Sequence, residues 1–298
     1  MVFTEIIKQD LRLMLGNKMD LMYSSGIDKL VEKKIKGNVA RVGGSVDQLI
    51  HYKKNMAVQD INILDGGFGS IRSVFQGNGW FDFKSIVTRK IKQEIKHVIY
   101  GNRIALDRKT IELDMHFVQK YQELRQKFDA SISSNVIEHS PNVIFFLLNF
   151  HLITKEDGWL FHALPNYRYT YDRFRSPTPL EHFVNDFEAH QIFSDSSHVQ
   201  DYIQSAIERD GWQREFHKKF PVSYPFMHFH VFDETNTKEL FSTIFEDVTC
   251  DVIKNEHFAD NVVLCRNRLN RQFVEKYADL IEEVKNGSYL PANIVSRK

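Results

Sequence analysis

Along this chain the spacing of apolar positions changes character near residue 60. Residues 1–58 are rich in Leu, Ile, Lys and Asp. They are broken at Gly16, Gly26, Gly37 and the pair Gly43-Gly44, a pattern that predicts short helices joined by turns ahead of the main fold. Beyond that point short apolar runs end in polar or glycine residues and predict strands at 62–64, 96–100, 110–117, 128–134 and 159–164. Residues 142–153 are apolar nearly all round and too long for a strand, so they predict a buried helix, followed by a turn at 155–158. Strands alternating with helices argue for a mostly parallel sheet covered on both faces.

The end of the chain has another texture. A run at 226–232 predicts a strand, 234–246 a helix, and 248–254 and 261–265 two more strands. A short loop joins those two, so they pair antiparallel. An amphipathic helix at 272–285 closes the fold, and 166–225 interrupts it with mixed helix and loop.

Composition narrows the class. The formal net charge is zero, so nothing global points to nucleic acid or an anionic membrane as partner. A basic run at 84–96 carries Lys84, Arg89, Lys90, Lys92 and Lys96, with Ile86, Val87, Ile91 and Ile95 at helical spacing, and reads as a solvated helix face. Cys250 and Cys265 are too few for a disulfide scaffold or a cysteine-rich zinc site, which fits a reducing cytoplasm. The first residues lack the apolar stretch of a signal peptide, and no run approaches the roughly 20 apolar residues of a membrane span.

Three places carry candidate chemistry. Asp65-x-Gly67-x-Gly69 follows a predicted strand, where glycines let backbone approach a ligand and a helix N-terminus offers free N–H groups. Asp114 stands at the end of the 110–117 run. Asn135, Glu138 and His139 stand just past 128–134. Open α/β sheets bind ligands outside those C-terminal ends. Each place also has a plain structural reading as a turn or a helix cap. Among the histidines, His190 and His198 lie in the 166–225 segment, and His228 and His230 would share one face of a strand and reach one divalent ion.

These residues carry a resemblance. Asp65-x-Gly67-x-Gly69, the stretch from Phe128 through Asn135-Val-Ile-Glu138-His139 to Pro141, then Asp157-Gly158 and Pro165, resemble the class I S-adenosylmethionine-dependent methyltransferases. The stretch from Leu164 through Tyr167-Arg168-Tyr169-Thr170-Tyr171-Asp172-Arg173-Phe174-Arg175 to Leu180 is similar to a bacterial subgroup with a "PDKRYTFD…R…T" signature, often encoded among genes for surface polysaccharides. The resemblance implies a Rossmann-like α/β fold whose sheet ends in an antiparallel hairpin, with residues 59–270 as the methyltransferase-like domain. Residues 1–58 would then be a helical extension, 166–225 an acceptor lid, and 271–298 a closing helix and tail.

It also implies roles. Asp65, Gly67 and Gly69 would line the methionine end of S-adenosylmethionine, Asp114 would face its adenine, and Asn135, Glu138 and His139 would lie beneath the sulfonium and the acceptor. The sequence departs from the family in two places. Ile71 stands where the third glycine is usual, and after 96–100 the ribose-binding acid is missing, so either Asn102 substitutes for it or the cofactor site is remodelled or lost. His139 is the first choice of general base and Asp172 the second. Tyr167, Arg168, Tyr169, Arg173 and Arg175 suit a sugar bearing phosphate or carboxylate. The reading is a cytoplasmic O-methyltransferase for a glycan, nucleotide sugar or related precursor. Two others compete: a methyltransferase-fold scaffold without cofactor, and a methyltransferase for a phosphate-type or small-molecule acceptor. Residues 1–58 either pack on the sheet or build a homodimer interface.

Overall fold

The computed structural model describes residues 27–43, 56–63, 111–113, 115–192, 196–218, 227–254 and 259–290. Helix α1 (Ile27–Lys34) leads into β1 (Gly37–Gly43), followed by β2 (Met56–Ile63), β3 (Ile111–Leu113), β4 (Phe128–Ser134), α2 (Val143–Ile153) and β5 (Thr154–Pro165). Next come α3 (Leu180–Glu188), α4 (Ser196–Asp201), α5 (Gly211–His217), α6 (Glu234–Ile244), β6 (Thr249–Lys254), β7 (Ala259–Arg266) and α7 (Arg271–Asn286).

The strands form one sheet in the order β3-β2-β1-β4-β5-β7-β6. All neighbours are parallel except β7, which is antiparallel to both β5 and β6. This is the Rossmann-like order with one reversed strand slipped in near the edge. The order turns round between β1 and β4, and such a switch point opens a crevice at the C-terminal ends of the strands. Gly43, Ile63, Leu113 and Ser134 close their strands along that border.

Period-two alternation distributes the strands' side chains between two cores. Ala40, Val42, Leu160, Leu164, Val263 and Cys265 join one core with α2, α6 and α7. Val39, Ile132, Phe161, Ala163, Val262 and Leu264 join the other, with Ile27, Val31 and Ile35 from α1 and its end. Helix α2 is buried nearly all round, as its unbroken apolar run requires. Its N-cap Asn142 accepts from the Phe145 N–H at 3.0 Å and donates to Tyr289 Oη and the Asp186 carbonyl, each at 2.9 Å. One polar side chain thus starts the helix and ties it to α3 and the chain's end.

Several expectations change. Gly37–Gly43 is a strand in the middle of the sheet, so the sheet begins before residue 59 and the glycine breaks around it are its ends. Half-buried Asn38 and Arg41 had obscured its apolar pattern. The neighbour of β1 is Met56–Ile63, so Asp65-x-Gly67-x-Gly69 follows the second strand and not the first. The 110–117 run is a strand only at Ile111–Leu113, because Met115–Lys120 winds into a 3-10 helix. The turn at 155–158 lies inside β5, with Asp157 at φ +61°. Residues 227–231 are not a strand; only Phe232, just after them, forms an isolated bridge, to Asn166 at the sheet's end.

Gly158 sits beside the register irregularity in the β4–β5 pairing. A Cβ there would stand 2.7 Å from the Asp129 carbonyl oxygen and 2.9 Å from that of Lys155, both backbone atoms that cannot swing away. Gly158→Ala is expected to destabilise the fold by about 1–3 kcal/mol, read as a lower urea midpoint at unchanged slope.

Candidate active site

At the end of β4 the chain turns through Asn135, whose positive φ of +51° is a conformation asparagine tolerates better than most residues. The Asn135 N–H donates to the Ala163 carbonyl of β5 at 3.0 Å, and Ile137–His139 form one turn of 3-10 helix. This folds Glu138 inward, 1% exposed, and leaves His139 half-buried. Glu138 Oε2 is buried without a hydrogen-bond partner. The His139 ring nitrogen Nδ1 lies 2.9 Å from the Met227 carbonyl oxygen, an acceptor, so Nδ1 carries the hydrogen and Nε2 the lone pair. That Nε2 lies 3.7 Å from Glu138 Oε1.

The other wall is the segment from Met227 to His230. The Glu138 carbonyl accepts from the Phe229 N–H at 2.8 Å. His228 places Nδ1 2.5 Å from Asp172 Oδ2, its ring 4.8 Å from that of His139 and 4.5 Å from that of Tyr171. Asp172 comes from a 3-10 turn, Tyr171–Phe174, capped by Thr170 Oγ1 accepting from the Asp172 N–H. A carboxylate on Nδ1 of a histidine is the form of an oriented acid–base group.

The charges in this corner separate. Burial raises Glu138 to about 7 against the opposing pull of His228. Burial opposes charge on Asp172 too, but His228 and Arg175 outweigh it and hold its carboxyl below the usual range. Burial lowers His139 to about 3, whereas Asp172 raises His228 despite its burial. Neighbouring acids driven apart in this way are a mark of functional corners.

The structure brings together His139, Asp172, Glu138 and His228, to which the sequence reading assigned three different roles. Asn135 is exposed at the turn. Asp65, Gly67, Gly69, Asn102 and Asp114 lie outside the described residues, as does the 84–96 run. Arg168, Tyr169 and Arg173 are exposed and Tyr167 half-buried, with Arg168 2.8 Å from Glu234 and Arg173 2.5 Å from Asp210. Arg175 is buried, and its N–H groups meet Asp172, Asp201 and the carbonyls of His228 and Phe229, leaving it turned away from any acceptor. His228 and His230 do not share an ion, since off the sheet their side chains go to different clusters: Glu138–His139–His228 and His182–Asp186–His198–His230. His228 as partner of Asp172 was missed. The signal was there in the shared signature and His-x-His run, but nothing local pairs positions 56 residues apart.

No protein-family model matches the chain, and no curated protein does. Among solved structures it is similar to the CurJ carbon methyltransferase, at 14% identity over 81% of this chain and 52% of that one, TM-score 0.42. It is also similar to the trans-methyltransferase CalH in complex with S-adenosylhomocysteine (SAH), at 12% identity over 80% and 54%, TM-score 0.41. A third is the Burkholderia thailandensis 1,6-didemethyltoxoflavin-N1-methyltransferase, at 11% identity over 89% and 86%, TM-score 0.41. The chain spans about half the length of the first two.

Glu138 tests the electrostatics of the corner. An acid raised from 4.5 to about 7 on folding loses stability as pH climbs between those values. Glu138→Gln removes that loss. In the ligand-free protein it is expected to be more stable than the parent at pH 8, by up to about 3 kcal/mol, and near parity at pH 4.5. Urea unfolding at the two pH values checks this; equal differences at both would show that Glu138 does not titrate late.

Proposed function

We propose that the chain is an S-adenosylmethionine-dependent O-methyltransferase whose acceptor is a hydroxyl of a glycan, nucleotide sugar or related surface-polysaccharide precursor. The observation that carries the reading is the buried Glu138, with one carboxylate oxygen lacking a partner, beside His139 and the Asp172–His228 pair. All stand beyond the C-terminal end of β4, next to the switch point of the sheet. An orphaned buried acceptor in that crevice suits a ligand that brings its own donors or positive charge.

Bound there, S-adenosylmethionine would supply a methyl group made electrophilic by its positively charged sulfur. Glu138 and Asn135 would hold it on the β4 side. In chain order Gly43-Gly44 close the first strand and Asp65 follows the second, although Gly44 and Asp65 lie outside the described residues. We therefore assign the close backbone approach to Gly43-Gly44 and the ribose-facing acid to Asp65, in place of Asn102. The scaffold reading rests on the missing acid and on Ile71; with Met56–Ile63 as the second strand, Asp65 is a candidate for that acid.

His228 is the base we assign. Asp172 fixes its ring through Nδ1 and stabilises the imidazolium formed when Nε2 takes the acceptor's hydroxyl proton. His139, held neutral, shapes the corner and accepts hydrogen bonds at Nε2. Exposed Tyr169 and Phe174 offer aromatic faces on the turns flanking Asp172, which suit a sugar ring, while Arg168 and Arg173 already pair with Glu234 and Asp210.

Calorimetric titration with SAH is expected to show saturable binding, with a gain of about 2.7 kcal/mol in stability at 100 times the dissociation constant. No heat and no stabilisation would return the scaffold reading. Asp172→Asn is expected to lower turnover about 10²–10⁴-fold while SAH affinity holds. Because Asp172 is what raises His228, the rise of activity with pH should also move to lower pH in this variant. An unmoved profile would exclude His228 as the base.

A further inference from the structure

The second histidine cluster lies outside the proposed acid–base corner. His182 and Asp186 stand four residues apart on α3 and so share one helix face. His198 comes from α4, and His230 from the segment before α6. Their heads converge. His182 Nε2 is 3.0 Å from His198 Nε2, which is 3.4 Å from His230 Nε2. Asp186 Oδ2 lies 2.9 Å from His230 Nε2, 3.4 Å from His182 Nε2 and 3.6 Å from His198 Nε2.

Hydrogen bonding does not account for this geometry. His230 Nδ1 is 3.0 Å from the Ser140 carbonyl oxygen, which can only accept, so in the neutral ring the hydrogen is on Nδ1 and a lone pair is on Nε2. That lone pair faces a carboxylate oxygen at 2.9 Å. A proton could bridge one such contact, but it cannot occupy all five. A cation at the centre satisfies them together. Four ligands at about 2.0–2.1 Å from a tetrahedral zinc stand about 3.3 Å from one another, in the middle of the observed spread. The Ser140 carbonyl behind His230 is the outer partner that orients a metal-bound imidazole.

We propose that His182, Asp186, His198 and His230 bind one zinc ion that staples α3, α4 and the 227–230 segment together. Four protein donors leave no open position, which makes this a structural site and not a catalytic one. Its position gives it a second effect. His230 is two residues from His228, and the Glu138 carbonyl accepts from the Phe229 N–H. The ion therefore holds the backbone that carries His228 to Asp172.

The full chain, expressed without a histidine tag, would be analysed by elemental mass spectrometry. The expected result is one zinc per chain after gel filtration. Chelation with dipicolinate should lower the melting temperature, and added zinc should restore it. Cobalt(II) in its place should give the intense visible bands of a four-coordinate site. Asp186→Asn and His198→Ala should lose the stoichiometric metal. His182→Gln, at the most exposed ligand, should weaken binding with the least disturbance to the fold. Glu138→Gln should keep the metal, which separates this site from the Glu138–His139–His228 corner. Folded wild-type protein that takes up neither zinc nor cobalt would overturn the proposal. So would metal retained in folded Asp186→Asn or lost in Glu138→Gln.

Discussion

The buried guanidinium of Arg175 is the constraint on which the rest of the corner depends. The segment from Met227 to Val231 belongs to no strand, so nothing in the sheet ladder decides where its side chains go. Arg175 decides it by donating to the carbonyls of His228 and Phe229, at 2.7 and 3.1 Å. The same group pairs with Asp172 at 2.8 Å and with Asp201 at 2.7 Å. A buried cation is tolerated only when its donors are met and its charge opposed, and both conditions hold here. Removing Arg175 would leave Asp172 charged and buried beside two unsatisfied carbonyls.

From that clamp the two histidine clusters follow. Without a strand's regular pleat, positions two apart need not share a face, so His228 turns to Asp172 and His230 to Asp186. The Glu138 carbonyl, received by the Phe229 N–H between them, stitches the segment to the end of β4. Acid and base strengths in the corner come from the same arrangement. Glu138 has burial and no close cation bonded to it, and rises. Asp172 has the same burial but two cationic partners, and falls. Two carboxyls in one corner thus hold opposite tendencies, one suited to meeting a charged ligand and one to steadying an imidazolium.

Much of the fold was legible along the chain. The 128–134 strand, the helix after it, the antiparallel pair near the C-terminus and the closing helix are strongly periodic or unbroken apolar runs, and each stands within a residue or two of its expected bounds. Where reading failed, the local signal was weak. Strand β1 hid because Asn38 and Arg41 interrupt its apolar run. With it missed, the strand ending at 62–64 reads as the first and the Asp65 motif attaches to it as such, although that strand is the second.

The sequence by itself determined that this is an α/β protein whose polar residues gather where strands end, because period and composition are properties of neighbours along the chain. It also marked Glu138, His139 and Asp172 as chemically unusual. Only the tertiary structure decided what they do together. Asp172 meets His228 across 56 positions, and three histidines and an aspartate from three parts of the chain converge within 4.8 Å of one another. Such meetings depend on the sheet order and on one buried arginine. Neither leaves a mark in the spacing of residues.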